Sequence, residues 1–148
     1  MVVVSDTSPI NYLVLIAQID LLKQLYARIL IPPAVLAELK HPIAPTPVRE
    51  WAENPPKWVE ALGPTIPGES EAIALAIEVD ADVVLIDEQA GRQESFRSGL
   101  KVAGTLSVLD EGDQAGLIVF DSVIAELRKT SFRVSQTVLS EIREKRSR

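Results

Sequence analysis

Five short apolar runs, at 2–4, 28–31, 58–62, 83–86 and 101–103, carry no sustained polar alternation. A strand with one wet face must alternate, so runs of this kind are built to be covered on both faces. Helical patterns lie between them, at 11–26, 33–39, 69–79, 88–98 and 105–115. That alternation predicts an α/β fold of three α/β/α layers, with a mostly parallel central sheet of about five strands. Two further helices are expected, at 122–129 and 136–145, the second capped by Ser135 and presenting Val138, Leu139 and Ile142 on one face. Seven of the ten prolines fall between Pro42 and Pro67, which leaves room for only one helical turn, at 48–51. This stretch reads as a loop-rich insertion within a single domain, 1–148.

Composition narrows the chemistry. With no cysteine and one histidine, His41, any metal must be held by oxygen. The opening MVVVSD has no basic region, and the longest apolar run near it, 12–17, is far short of a membrane span. A soluble, cytoplasmic protein is expected. Net charge is −6, but residues 121–148 hold seven Lys and Arg against four Asp and Glu, net +3, leaving −9 for residues 1–120. The basic ending, with Arg143, Lys145, Arg146 and Arg148, reads first as a solvated helix end suited to the dipole.

In a parallel sheet, ligands bind beyond the carboxyl ends of the strands. Asp6 follows the first strand, and Asp87 with Glu88 follows the fourth. One such acid is commonly a helix N-cap; two in equivalent positions point to a site. If the helix of 69–79 starts by residue 69, Glu69 lies mid-arc among Ala72, Ile73 and Ala76, while Glu71 turns about 200° away. If 68–70 remain loop, Glu71 is the alternative. Glu38 borders the apolar stripe of Val35, Leu36 and Leu39. Carboxylates converging at a poorly solvated rim repel one another unless a cation neutralises them, and oxygen-only ligation suits Mg²⁺ or Mn²⁺. Such ions serve phosphodiester hydrolysis.

The segments SDTSP (5–9), IPPAVLAEL (31–39), GESEAIALA (68–76) and LIDE (85–88) resemble the PIN-domain family of metal-dependent ribonucleases, and the likeness covers nearly the whole chain. GTLSVLDEGDQAGLI (104–118) and SFRVS (131–135) look like a prokaryotic branch related to the toxins of toxin–antitoxin pairs. The resemblance implies that Asp6, Glu38, Glu69 and Asp87 are the catalytic, metal-binding acids, with Thr7 or Ser8 as the hydroxyl beside the first. It implies RNA as substrate, Mg²⁺ or Mn²⁺ as cofactor and an antitoxin protein as a possible partner. Glu stands at 69 where many members carry Asp, and the further acid many toxin members place near Asp87 is missing.

Rival readings are a non-catalytic binding module on the same fold, and a haloacid-dehalogenase-like phosphatase, which would need an acid where Ser8 stands. A phosphate loop at 63–68 fails because Glu69 replaces the required lysine, and a receiver domain fails for want of its acids. His41 reads as a surface residue, Trp51 and Trp58 as packing, and Asp110, Glu111 and Asp113 as helical solvation. Leu13, Leu15 and Ile16, taken as an exposed apolar face, suggest a homodimer.

Overall fold

The computed structural model describes all 148 residues except Pro67, Glu69, Ser147 and Arg148. Each apolar run contains a strand: β1 (Val3–Ser5), β2 (Ile29–Ile31), β3 (Val59–Ala61), β4 (Val83–Leu85) and β5 (Val102–Ala103). They pair in parallel in the order β3-β2-β1-β4-β5. Successive strand residues point to opposite faces. Val3, Ile29, Ile31, Val83 and Leu85 enter one buried cluster, whereas Val4, Leu30, Val84 and Ile86 enter the other. This two-sided burial is why the runs of β1, β2 and β4 lack polar alternation; β3, at the sheet edge, is exposed at Glu60 and Ala61, so the expectation of cover on both faces fails there.

Helices α1 (Thr7–Leu15) and α2 (Asp20–Tyr26) connect β1 to β2, and α3 (Pro33–Leu39) and α4 (Thr46–Glu53) connect β2 to β3. All four pack on the first face, joined there by α7 (Thr105–Gln114), α8 (Phe120–Leu127) and α9 (Gln136–Arg146). The second face is covered by α5 (Glu71–Glu78), which buries Ala72, Ile73, Leu75 and Ala76, and by α6 (Gln89–Arg97), whose Gly91 lies against Ile86. Three layers result. None of the described helices is long and apolar enough to cross a membrane.

Several expectations need correction. The pattern at 11–26 is two helices, and the first begins at Thr7. It stops at a double hydrogen-bonded turn, with Gln18 N–H donating to Leu13 C=O at 2.7 Å and Ala17 N–H to Val14 C=O at 3.0 Å. This closure normally places glycine in the left-handed conformation that Ala17 adopts, at φ 58°. The proline-rich stretch carries the eight-residue α4 and not a single turn, because Pro45 and Pro47 sit at its N-terminus, where a missing N–H is harmless. Leu13 and Ile16 are buried and Leu15 packs against the core, so they offer no dimer face.

The basic end is not simply solvated. Arg146 pairs with Asp110 at 2.6 Å and Asp113 at 2.7 Å, and its guanidinium lies 4.6 Å from the Phe120 ring centroid. Asp110 is only 6% exposed, and Glu111 accepts from the Tyr26 hydroxyl at 2.8 Å. These acids fasten α9 and α2 to α7. Trp51 and Trp58 pack against each other and the core, as expected.

A left-handed alanine is strained by roughly 1–2 kcal/mol relative to glycine, and glycine's larger unfolded-state entropy offsets part of that. Ala17→Gly is therefore expected to raise stability by roughly 0.5–1 kcal/mol, read as a higher urea midpoint with an unchanged slope. An unchanged or lowered midpoint contradicts this account of the turn.

Candidate acidic site

The strand order reverses between β1 and β4, and their carboxyl ends lie side by side: Asp6 N–H donates to Leu85 C=O at 2.9 Å. A reversal of this kind leaves a crevice at the strand ends. Asp6 occupies the N-cap position of α1 and Glu88 that of α6; neither side chain makes the usual capping hydrogen bond farther along its helix, and Asp6 has only the adjacent Thr7 backbone N–H. Both carboxylates are thus left for other work, in the positive field of a helix N-terminus. Glu38 reaches the same place from α3, where the Thr7 hydroxyl donates to its Oε2 at 2.8 Å. Together Asp6, Glu38 and Glu88 line an open cleft of about 370 Å³ with Thr7, Ser8, Asn11 and Tyr12.

Asp87 plays a different part. Its Oδ1 accepts from the Thr105 N–H at 2.7 Å, and its Oδ2 from the hydroxyls of Thr105 at 2.7 Å and Ser8 at 2.8 Å. Three donors clamp this carboxylate between α1 and the N-terminus of α7. Gly104 makes room: a Cβ there would stand 2.9 Å from Asp87 Oδ1 and 2.8 Å from an Arg92 guanidinium nitrogen. Asp87 consequently borders a neighbouring cleft of about 160 Å³, with Arg92 and Arg133.

The acids feel one another. Burial pushes the Asp6 carboxyl above its ordinary value, the Thr7 backbone N–H holds it down in part, and the charges of Glu38, Glu88 and Asp87 push it up further. Among the described residues, however, no three acids or histidines stand close enough to enclose a metal ion by themselves. The donor set suits a hard cation that keeps several of its own waters, as Mg²⁺ does, and does not form an all-protein cage.

Of the four acids singled out in the sequence, Asp6, Glu38 and Asp87 are brought to one rim. Glu69 lies outside the described residues. The phase argument for it fails all the same, since α5 begins at Glu71 and extended Ser70 is its N-cap, accepting from Ile73 N–H at 3.4 Å. Glu71 itself is exposed. Glu88 was missed as a site residue. The available signal was strand alternation, which sends Asp87 and Glu88 opposite ways once the strand end is placed. The hydroxyls in SDTSP and GTLS, at two helix starts, were the signal for the clamp on Asp87.

A family model for the PIN domain matches residues 2–148. Comparison with curated proteins and with solved structures gave no match.

The two aspartates should respond oppositely to amidation. A carboxyl whose folded pKa is raised contributes stability below its unfolded value, near 3.8, and loses it as pH rises through the folded value. Without metal at neutral pH, Asp6→Asn should therefore be as stable as wild type or more so, and the difference should vanish below pH 3.8. Asp87→Asn turns an amide N–H₂ or a weakened acceptor toward three donors and should lose roughly 1–3 kcal/mol. Thermal melts in EDTA across pH check both; equal losses in the two variants would refute the division of roles.

Proposed function

The chain belongs to the PIN-domain family, and from that membership we propose that it is a metal-dependent ribonuclease that hydrolyses RNA phosphodiester bonds. The observation that carries the reading is the cleft shared by Asp6, Glu38 and Glu88, in which Asp6 is pushed toward the protonated form by burial and like charge. Asp6, Glu38 and Glu88 would hold Mg²⁺ or Mn²⁺ together with its waters, with Asp87 positioning the rim and Glu69 joining through its likeness to the family position. When bound, such a cation supplies the positive charge that offsets these acids and draws phosphate oxygens into the cleft.

The residues supply orientation and proton transfer. Asp6 and Glu88, unspent on capping, orient the attacking water, and one of them accepts its proton as the new P–O bond forms and the bond to the leaving strand breaks. Thr7 fixes Glu38 while the clamp of Ser8 and Thr105 keeps Asp87 from swinging into the cleft. No side chain becomes phosphorylated. A phosphatase needs a second acid where Ser8 stands, and Ser8 is committed to Asp87. The likeness at 104–118 and 131–135 extends the proposal to a toxin neutralised by an antitoxin protein.

Incubation of purified protein with single-stranded and structured RNAs should give cleavage in Mn²⁺ or Mg²⁺ and none in EDTA. Asp6→Asn, Glu38→Gln and Glu88→Gln should each lower the rate by about 10²-fold or more while leaving the circular dichroism spectrum unchanged. Absence of cleavage with every RNA and metal, despite a folded protein, favours the binding-module reading; a trapped phospho-Asp6 favours the phosphatase.

The fourth acid is tested separately. Because Glu69 is the family match and Glu71 is exposed on the first turn of α5, Glu69→Gln should reduce metal-dependent cleavage more than Glu71→Gln. The reverse order, checked together with Mn²⁺ affinity by calorimetry, would transfer the role to Glu71.

A further inference from the structure

Beyond the acidic rim, α6 and the edge strand β5 enclose a groove of about 620 Å³ lined by Arg92, Phe96, Arg97 and Lys101 over a floor that includes Leu100. Among the described residues no acid lines it, in a chain where Asp and Glu outnumber Lys and Arg 21 to 15. Phe96 is 80% exposed, although Leu100 beside it is nearly buried. A single exposed phenylalanine is ordinary on a protein surface. One that shares a groove with three cations is the combination that suits single-stranded nucleic acid: the ring offers a stacking face to an unpaired base, and the cations can meet phosphates of the same strand.

Helical geometry explains the grouping. At 100° per residue, Arg92, Phe96 and Arg97 fall within about 140° of arc, and Glu94 turns to the other side, where it borders a separate pocket with Ile73 and Ile77. Neither Arg97 nor Lys101 forms an ion pair with a described carboxylate, so neither charge is already spent within the chain. Arg92 ties this groove to the acidic site: it also lines the cleft containing Asp87 and Arg133, where its guanidinium donates to Ile86 C=O at 3.1 Å. Phe96 lies one helical turn farther on, about 6 Å along the axis.

We propose that the α6–β5 groove is a binding track for single-stranded RNA, in which Phe96 stacks a base and Arg92, Arg97 and Lys101 hold phosphates of the strand whose scissile bond lies at the acidic rim. This rests on the ribonuclease reading for the direction of the strand, but binding itself can be read without cleavage. The track engages RNA outside the cleft that holds the acids, and duplex RNA, whose bases are already stacked, cannot use the Phe96 face.

The test is fluorescence anisotropy in EDTA with a labelled single-stranded RNA of about ten nucleotides. Phe96→Ala should weaken binding about ten-fold or more, and Phe96→Trp should restore it, which a purely structural role would not. Arg97→Glu and Lys101→Glu should each weaken binding and reduce the salt dependence of log affinity by about one phosphate contact. Thermal melts matching wild type keep these losses from being unfolding. Binding with this pattern but no cleavage in any metal would uphold the track and overturn the ribonuclease reading. Metal-dependent cleavage abolished by Asp6→Asn, with unchanged RNA affinity in Phe96→Ala, Arg97→Glu and Lys101→Glu, would overturn the track alone. Unchanged RNA affinity together with self-association lost in Phe96→Ala would assign the patch to a protein contact and likewise overturn it.

Discussion

The hydrogen bond from Asp6 N–H to Leu85 C=O is the last rung between β1 and β4, and the site depends on that adjacency. These strands are separated in sequence by two others and are neighbours only because the chain reverses direction across the sheet. An order without reversal would leave Asp6 and Asp87 on distant strands. With it, the carboxyl ends of β1 and β4 deliver three acids, Asp6, Asp87 and Glu88, to one rim, and α3 adds Glu38 from the side.

Such crowding is unfavourable in the isolated protein, and hydroxyl groups divide the burden unequally. Asp87 receives three hydrogen bonds, from the Thr105 N–H and the Thr105 and Ser8 hydroxyls, which hold its carboxylate in place. Asp6 is partly desolvated, receives help only from the Thr7 backbone, and bears the repulsion of its neighbours. The repulsion thus falls mainly on Asp6, which lines the open cleft, where a cation bound as proposed would relieve it.

Most of the architecture was legible in the sequence, because strands covered on both faces cannot hide their apolar runs. β1, β2 and β4, buried at every residue, were readable in this way, whereas edge strand β3 was read from its apolar flanks although Glu60 and Ala61 are exposed. The break between α1 and α2 was not, since Ala17 stands where a helix stop usually shows glycine, whereas Gly99 and Gly116 close α6 and α7 visibly. At the site, Asp6 and Glu38 were readable as acids at the right ends of the right elements. Glu88 was hidden by its neighbour: two consecutive acids diverge in space, and which one turns into the cleft is decided by the Thr105 and Ser8 donors, supplied from 18 and 79 residues away. The helix expected from residue 69 begins two residues later because Ser70 caps α5, so helix phase gives no orientation for Glu69.

Charge distribution decides how an acidic chain approaches a polyanion. At physiological salt the screening length is about 8 Å, so acids on remote faces act weakly on a strand lying in the α6–β5 groove, while Arg97 and Lys101 act on it directly. The nearer acids at the rim are a different matter: on the proposed reading they would repel RNA at short range until a cation neutralised them. Attachment and chemistry would then be separable, with the groove engaging the strand without metal and the rim admitting phosphate only with it. The fastening of Arg146 to Asp110 and Asp113 fits this division, since it spends a cation of the basic tail on holding α9 to α7, whereas Arg97 and Lys101 at the α6–β5 edge keep theirs for the proposed strand.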